Sequence, residues 1–195
     1  MKNWGVFLDR DGVIVRQIDH LNRAEDLELI PGAGEAIARL NEAEIPVIVV
    51  TNQAGVAKGY LTIADLDEIH VRLHSELEKH GAHLDAIYYC PHHPQATVTE
   101  YLKDCPCRKP GTGMLERASD EHGIDPALSY LVGDSTGDIL AGVRAGCRTI
   151  LVKTGFAGKD GLYVVKPDLV VADLAAAVDM ILAEVGDGGP DGKET

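Results

Sequence analysis

Asp9 and Asp11 stand one residue apart where the apolar run Val6-Phe7-Leu8 ends. A strand buried on both faces reads as a continuous apolar run, and it has no use for two carboxylates at its tip. In open α/β sheets the crevice beyond the carboxyl ends of the strands is where ligands bind. Two acids there can hold a divalent cation, or divide nucleophilic and acid–base work between them. Two other runs repeat the pattern, and a basic pair adds to them. The run Val47-Ile48-Val49-Val50 ends at Thr51-Asn52-Gln53-Ala54-Gly55, offering a hydroxyl, an amide and backbone N–H groups suited to phosphate oxygens. Tyr130-Leu131-Val132 ends at Gly133-Asp134, with Asp138 four residues on. Asp134 as a third carboxylate completes a hard-oxygen site for Mg²⁺, which uses few protein carboxylates and keeps several waters. Arg108-Lys109 brings positive charge ahead of a helix, where Lys109 would neutralise a phosphate.

Residues 90–107 carry a second chemistry. Cys90, His92, His93, Cys105 and Cys107 fall in two short knuckles. Four such ligands are what Zn²⁺ takes in a closed, tetrahedral structural site. A disulfide is the alternative, and a cytoplasmic setting disfavours it. A zinc with every position filled by protein holds no catalytic water. Its expected effect is positional, because Cys107 immediately precedes Arg108 and Lys109. Spacing alone leaves His92 and His93 both open as ligands. Cys147, in an apolar stretch, is expected to be a buried thiol.

The ordered set Asp9-x-Asp11-Gly12, Thr51-Asn52, Lys109 and Gly133-Asp134…Asp138 resembles the four motifs of the haloacid dehalogenase superfamily, in its phosphatase branch. The resemblance implies Asp9 as nucleophile and Asp11 as general acid/base. Thr51 and Lys109 become phosphate holders, and Asp9, Asp11 and Asp134 the Mg²⁺ site. The segments Phe7-Leu8-Asp9-Arg10-Asp11-Gly12, Tyr88-Tyr89-Cys90-Pro91-His92-His93-Pro94 and Cys105-x-Cys107-Arg108-Lys109-Pro110 narrow this further. They are similar to the heptose bisphosphate phosphatases and the neighbouring histidinol-phosphate phosphatases, over about residues 4–183. That likeness implies removal of the C7 phosphate of D-glycero-D-manno-heptose 1,7-bisphosphate through an aspartyl phosphate, with histidinol phosphate as the alternative substrate. It implies zinc on Cys90, His92, Cys105 and Cys107, since Cys-x-His matches the family pattern. Substrate contacts would come from Asn52, Gln53, Arg108 and, in the loop 13–22, Asp19 and His20, where Gln17-Ile18-Asp19-His20 stands in place of a segment of Asp-His-Gly-Tyr type. A catalytically silent, zinc-stabilised interaction module is the non-enzyme reading; it would need a missing nucleophile or acid, and Asp9 and Asp11 are both present.

Elements in alternation must position these residues. Strands are predicted over 4–9, 46–51, 86–89, 129–133, 148–152 and 169–171. Helices are predicted over 32–42, 62–80, 112–122, 138–145 and 174–185. Thr62 is the expected N-cap of the second helix, with Asp65 closing a capping-box variant. The pattern is a Rossmann-like, doubly wound α/β fold with a parallel sheet covered on both faces and right-handed crossovers. The intervals between motifs leave no room for a cap, so residues 1–185 read as one capless domain. Residues 186–195 are too polar and glycine-rich to pack and read as a disordered tail. The segment 155–167 reads as a surface loop near the strand ends, with no assigned role. At 195 residues and 45% hydrophobic content the chain is globular. Its net charge of −13 argues against a nucleic-acid partner. No apolar run approaches the roughly 18 residues of a membrane span, and the first strand follows Met1 too closely for a signal peptide. The expectation is a cytoplasmic monomer acting on a small sugar phosphate.

Overall fold

A computed structural model of the chain describes residues 2–18 and 21–186. Six strands, β1 (Val6–Leu8), β2 (Val47–Asn52), β3 (Ala86–Cys90), β4 (Tyr130–Gly133), β5 (Arg148–Val152) and β6 (Leu169–Val171), form one parallel sheet in the order β3-β2-β1-β4-β5-β6. The helices between and after them are α1 (Ala33–Glu42), α2 (Ala54–Ala57), α3 (Ile63–Glu78), α4 (Gly113–His122), α5 (Thr136–Ala145) and α6 (Leu174–Gly186). The strand order reverses between β1 and β4, which is where a doubly wound sheet opens its binding crevice. Leu8 sits in register with Val49 on one side and Val132 on the other. The residues that follow them, Asp9, Thr51 and Asp134, therefore emerge together at the switch point.

Alternate strand residues feed two cores. Val6, Leu8, Val47, Val49 and Val132 pack against α1, α3 and α6, while Phe7, Ile48, Val50 and Leu131 pack against α4 and α5. Burial on both faces is why these strands are apolar without alternation. The buried stripe of α3, Leu66, Ile69, Leu73 and Leu77, supplies four of the side chains on the first face. Each such side chain contributes about 1.5–3 kcal/mol when fully buried.

Most expected elements lie within a residue or two of their observed bounds. At α3, Thr62 and Asp65 form the reciprocal capping box. The start of α5 differs: it begins at Thr136 rather than 138, because Ser135 is the N-cap and Asp138 closes a second capping box from the third helical position. The short helix α2 was not predicted, since four residues carry no periodicity. Among the described residues no helix is long and apolar enough to cross a membrane. The expected tail lies, from residue 187 onward, outside the described residues.

Candidate active site

Asp9 follows β1 and is fixed there by its N–H donating to Val132 O (3.0 Å). Its Oδ1 lies 2.9 Å from Lys109 Nζ, and the same ammonium lies 2.6 Å from Asp138 Oδ1. Lys109 Nζ also donates to Val50 O at 2.6 Å. One buried cation thus meets two carboxylates and a strand-end carbonyl. Burial opposes its charge, but Asp138 and Asp9 outweigh that and raise Lys109 above the ordinary lysine range. Burial pushes Asp9 up to about 6 against the pull of Lys109. Asp134 is pushed up to about 8, first by burial and then by Asp9 and Asp138. Ligand atoms of Asp9, Asp134 and Asp138 all fall within 4.8 Å of one another. Three acids with a single lysine form a site short of positive charge, and such perturbed groups gather at functional sites.

Asp11 is not in that group. Its carboxylate accepts from Arg10 Nη2 at 3.0 and 2.8 Å and from Gln53 Nε2 at 2.9 Å. Gln53 Nε2 also donates to Thr51 Oγ1 (2.9 Å), and its Oε1 accepts from Arg10 Nη2 (3.0 Å). The Gln53 amide is therefore committed to the protein. Asn52 is similarly committed: it exchanges two 3.0 Å hydrogen bonds with the backbone of Lys109, holding that residue against the end of β2. A cavity of about 110 Å³ opens beside Arg10, Asp11, Asn52 and Gln53 and is walled by Gln17 and Ile18. Asp19 and His20, the expected sugar contacts of that loop, lie outside the described residues.

The loop after β5 seats on the acid cluster. Phe156 N–H donates to Asp134 Oδ2 (2.7 Å), Gly158 N–H to Asp134 O (2.7 Å), and Thr154 Oγ1 to Gly12 O (2.6 Å). Gly12 (φ 80°) and Gly155 (φ 60°) approach Asp134 so closely that a Cβ on either would collide with its carboxylate. Thr136 accepts Tyr163 N–H and bonds Asp160, which pins the far end of the loop to the start of α5.

The cysteine–histidine loop leaves the end of β3. Ligand atoms of Cys90, His92 and Cys105 lie within 4.8 Å of one another, with Cys90 Sγ 3.7 Å from His92 Nδ1. Cys107 stands outside this group but its thiol adjoins that of Cys105. His93 Nδ1 accepts from Gln95 N–H, which separates the two histidines that spacing left open. Burial pushes the Cys90 thiol up to about 12, so only a soft cation would keep a thiolate there. Arg108 Nη1 donates to His92 O (3.3 Å), tying the loop to the residue before Lys109.

Residues 6–98 match the model of the haloacid dehalogenase-like hydrolases, and residues 106–177 match a second model of the same kind. A D-glycero-D-manno-heptose-1,7-bisphosphate 7-phosphatase of Thermosynechococcus vestitus is 42% identical over 90% of this chain and 94% of its own length. The D-glycero-beta-D-manno-heptose-1,7-bisphosphate 7-phosphatase of Pseudomonas aeruginosa is 38% identical over 91% and 97%. The chain belongs to the haloacid dehalogenase-like hydrolases. The crystal structure of D,D-heptose 1,7-bisphosphate phosphatase from B. bronchiseptica, complexed with magnesium and phosphate, superposes on this hydrolase with a TM-score of 0.82. It is 36% identical and covers 92% of this chain and 99% of its own. These relatives are heptose bisphosphate phosphatases, and they do not favour the histidinol-phosphate alternative.

The structure brings Asp9, Thr51 and Asp134 of this hydrolase together at strand ends, with Lys109 reaching them from the loop before α4. The Asp11 carboxylate is held by Arg10 and Gln53 and is not among the three acids grouped within 4.8 Å. The structure gives Asp138, already part of the Gly133-Asp134…Asp138 motif, a contact with Lys109 that the motif did not specify. It also adds Arg10, a lone cation between two acids, and Phe156, whose contribution is a backbone N–H with no sequence signal.

Proposed function

We propose that this hydrolase is a Mg²⁺-dependent phosphatase that removes the C7 phosphate of D-glycero-D-manno-heptose 1,7-bisphosphate, within nucleotide-activated heptose synthesis. The pairing of Asp9 with Lys109 at the tip of β1, in a chain whose relatives match end to end, carries this reading. The acid cluster fits Mg²⁺: its donors are hard oxygens, and burial with mutual repulsion holds Asp134 near 8 until positive charge arrives. Asp9 and Asp134 would hold the ion, with Asp138 beside them. When bound, Mg²⁺ supplies positive charge to the phosphoryl oxygens.

Asp9 attacks phosphorus, forming an acyl phosphate as the ester P–O bond breaks. Asp11 gives its proton to the departing alkoxide and then takes one from the water that hydrolyses the acyl phosphate. The Thr51 hydroxyl and Lys109 hold phosphoryl oxygens. Gln53 and Asn52 act by fixing Asp11, Thr51 and Lys109. Arg108, with its planar fork of donors, engages the distal phosphate, and Asp19 and His20 are the sugar contacts expected from the loop 13–22. Soft donors fit zinc at Cys90, His92 and Cys105, with Cys107 beside them; the ion would clip the loop that ends in Arg108 and Lys109. With the space between motifs used by core elements, the crevice is open and suits a solvated sugar phosphate.

Phosphate release from both anomers of the heptose bisphosphate and from histidinol phosphate, in Mg²⁺, tests this. The heptose substrate should lead in kcat/KM by at least about 100-fold, the scale of discrimination by polar contacts. Preference for histidinol phosphate, or no release from either, would overturn it.

A further inference from the structure

His70 lies on α3, far in sequence from every motif above, yet its ring reaches the catalytic crevice through Arg10. Arg10 is 1% exposed, a guanidinium almost wholly removed from water. Burying such a cation is costly unless its donors are met. Three groups meet them. Arg10 Nη2 and Nε face the Asp11 carboxylate (2.8–3.3 Å), Nη2 also donates to Gln53 Oε1 (3.0 Å), and Nη1 lies 3.4 Å from His70 Nε2. Opposite an arginine donor, the Nε2 atom must be the acceptor, so the ring is neutral with its proton on Nδ1. Burial first, and then Arg10, hold His70 down at about 4, in keeping with that form. The ring is further packed on Tyr89, with centroids 5.6 Å apart.

We propose that His70 is a positioning residue that, as a neutral acceptor, fixes the Arg10 fork and through it the Asp11 carboxylate. The proposal rests on Asp11 being the proton donor to the leaving group. Asp11 itself is 21% exposed and sits on a turn, so its carboxylate would sample several rotamers if left alone. The Arg10 backbone is already anchored, because its carbonyl accepts from both Ile14 and Val15 N–H. What remains free is rotation of the guanidinium plane, and His70 and Gln53 grip it from two sides. Once Asp11 has given up its proton it is a carboxylate, and the two Arg10 donors are in place to receive that charge.

His70→Leu keeps volume and removes the acceptor, whereas His70→Gln keeps an acceptor at a comparable reach. The two should be compared by kcat/KM on the heptose bisphosphate and on p-nitrophenyl phosphate. That ratio reports the steps through departure of the leaving group, and nitrophenolate leaves without a proton. His70→Leu should lower kcat/KM for the sugar phosphate by about 10–100-fold, the scale of a misplaced catalytic group. It should change the nitrophenyl ester by less than about 3-fold, and His70→Gln should recover most of the sugar-phosphate rate. Equal losses on both esters, or full sugar-phosphate activity in a folded His70→Leu protein, would overturn the proposal. A second readout needs no turnover. Slow guanidinium rotation of Arg10, seen as resolved Nη proton signals by NMR, should persist in wild type and His70→Gln and vanish in His70→Leu. Unchanged signals in His70→Leu would overturn the contact itself. Wild-type failure on every ester with the signals intact would instead remove the phosphatase reading and leave the contact standing.

Discussion

The ammonium of Lys109 lies closer to Asp138 (2.6 Å) than to Asp9 (2.9 Å). Asp138 uses its other oxygen to accept from Ser135 N–H and Oγ, so one carboxylate both starts α5 and holds the lysine. Asp138→Ala breaks a buried pair, which costs about 3–5 kcal/mol when one partner is removed. Urea unfolding should show a loss of that order. Asp138→Asn keeps the capping geometry and should cost less, while a shifted Lys109 lowers kcat by roughly 10–100-fold. Wild-type kcat in Asp138→Asn would show that Lys109 is held well enough without it.

Stability of the metal-free protein should depend on pH through Asp134. Its folded pKa of about 8 and that of Asp9, about 6, both lie above the ordinary 3.8. Each group thus favours the folded state when protonated, and that contribution is lost as pH rises from about 4 through the folded value. Above the ordinary histidine value of 6.5, His70, held down to about 4, is neutral whether folded or not. Between pH 6.5 and 8.5 the slope should therefore report chiefly Asp134. In EDTA the melting temperature should fall across that range; Asp134→Asn should raise it and flatten the slope, and Mg²⁺ should flatten it for the wild type. An unchanged slope in Asp134→Asn would assign the effect elsewhere.

Zinc should survive mild EDTA treatment that strips the exchangeable Mg²⁺ and stops turnover. Metal analysis of purified protein should find zinc in wild type and little in Cys105→Ser. A loss of about 3 kcal/mol lowers the melting temperature of a domain this size by roughly 6–12 °C, and turnover should fall with it because the loop leads into Lys109. Protein free of zinc, with Cys90 and Cys105 oxidised to each other, would sink the zinc reading.

Arg108→Ala should lower kcat/KM for the heptose bisphosphate by roughly 10–100-fold, about 1.5–3 kcal/mol for a charged hydrogen bond. A small generic ester never reaches Arg108 and should lose far less. Equal losses on both would return Arg108 to a structural role, carried by its bond to His92 O.

The sheet was legible because burial on both faces writes uninterrupted apolar runs, and the polar residue that ends each run marks the crevice. Asp9, Thr51 and Asp134 were found that way. Asp138 was half legible: its spacing from Ser135 announces a helix start but not that the second oxygen turns to Lys109. At Asp11 the spacing gave the carboxylate but not its partners, Arg10 and Gln53. His70 was masked by the apolar stripe around it, Ile69 and Leu73, where a histidine reads as core filling. The loop 155–167 acts on Asp134 through backbone N–H groups, and main-chain donors leave no mark in side-chain chemistry.

The most direct measurement is chemical trapping of the phosphoryl group. Protein turning over the heptose bisphosphate would be quenched in acid and reduced with borohydride, which converts an aspartyl phosphate to homoserine, and the peptides read by mass spectrometry. Phosphorus NMR of the same reaction identifies the phosphate that leaves. The expected result is homoserine at Asp9, dependent on substrate and absent in Asp9→Asn, with the anomeric phosphate retained in the product. Homoserine at another residue, turnover persisting in Asp9→Asn, or loss of the anomeric phosphate would contradict the proposed chemistry.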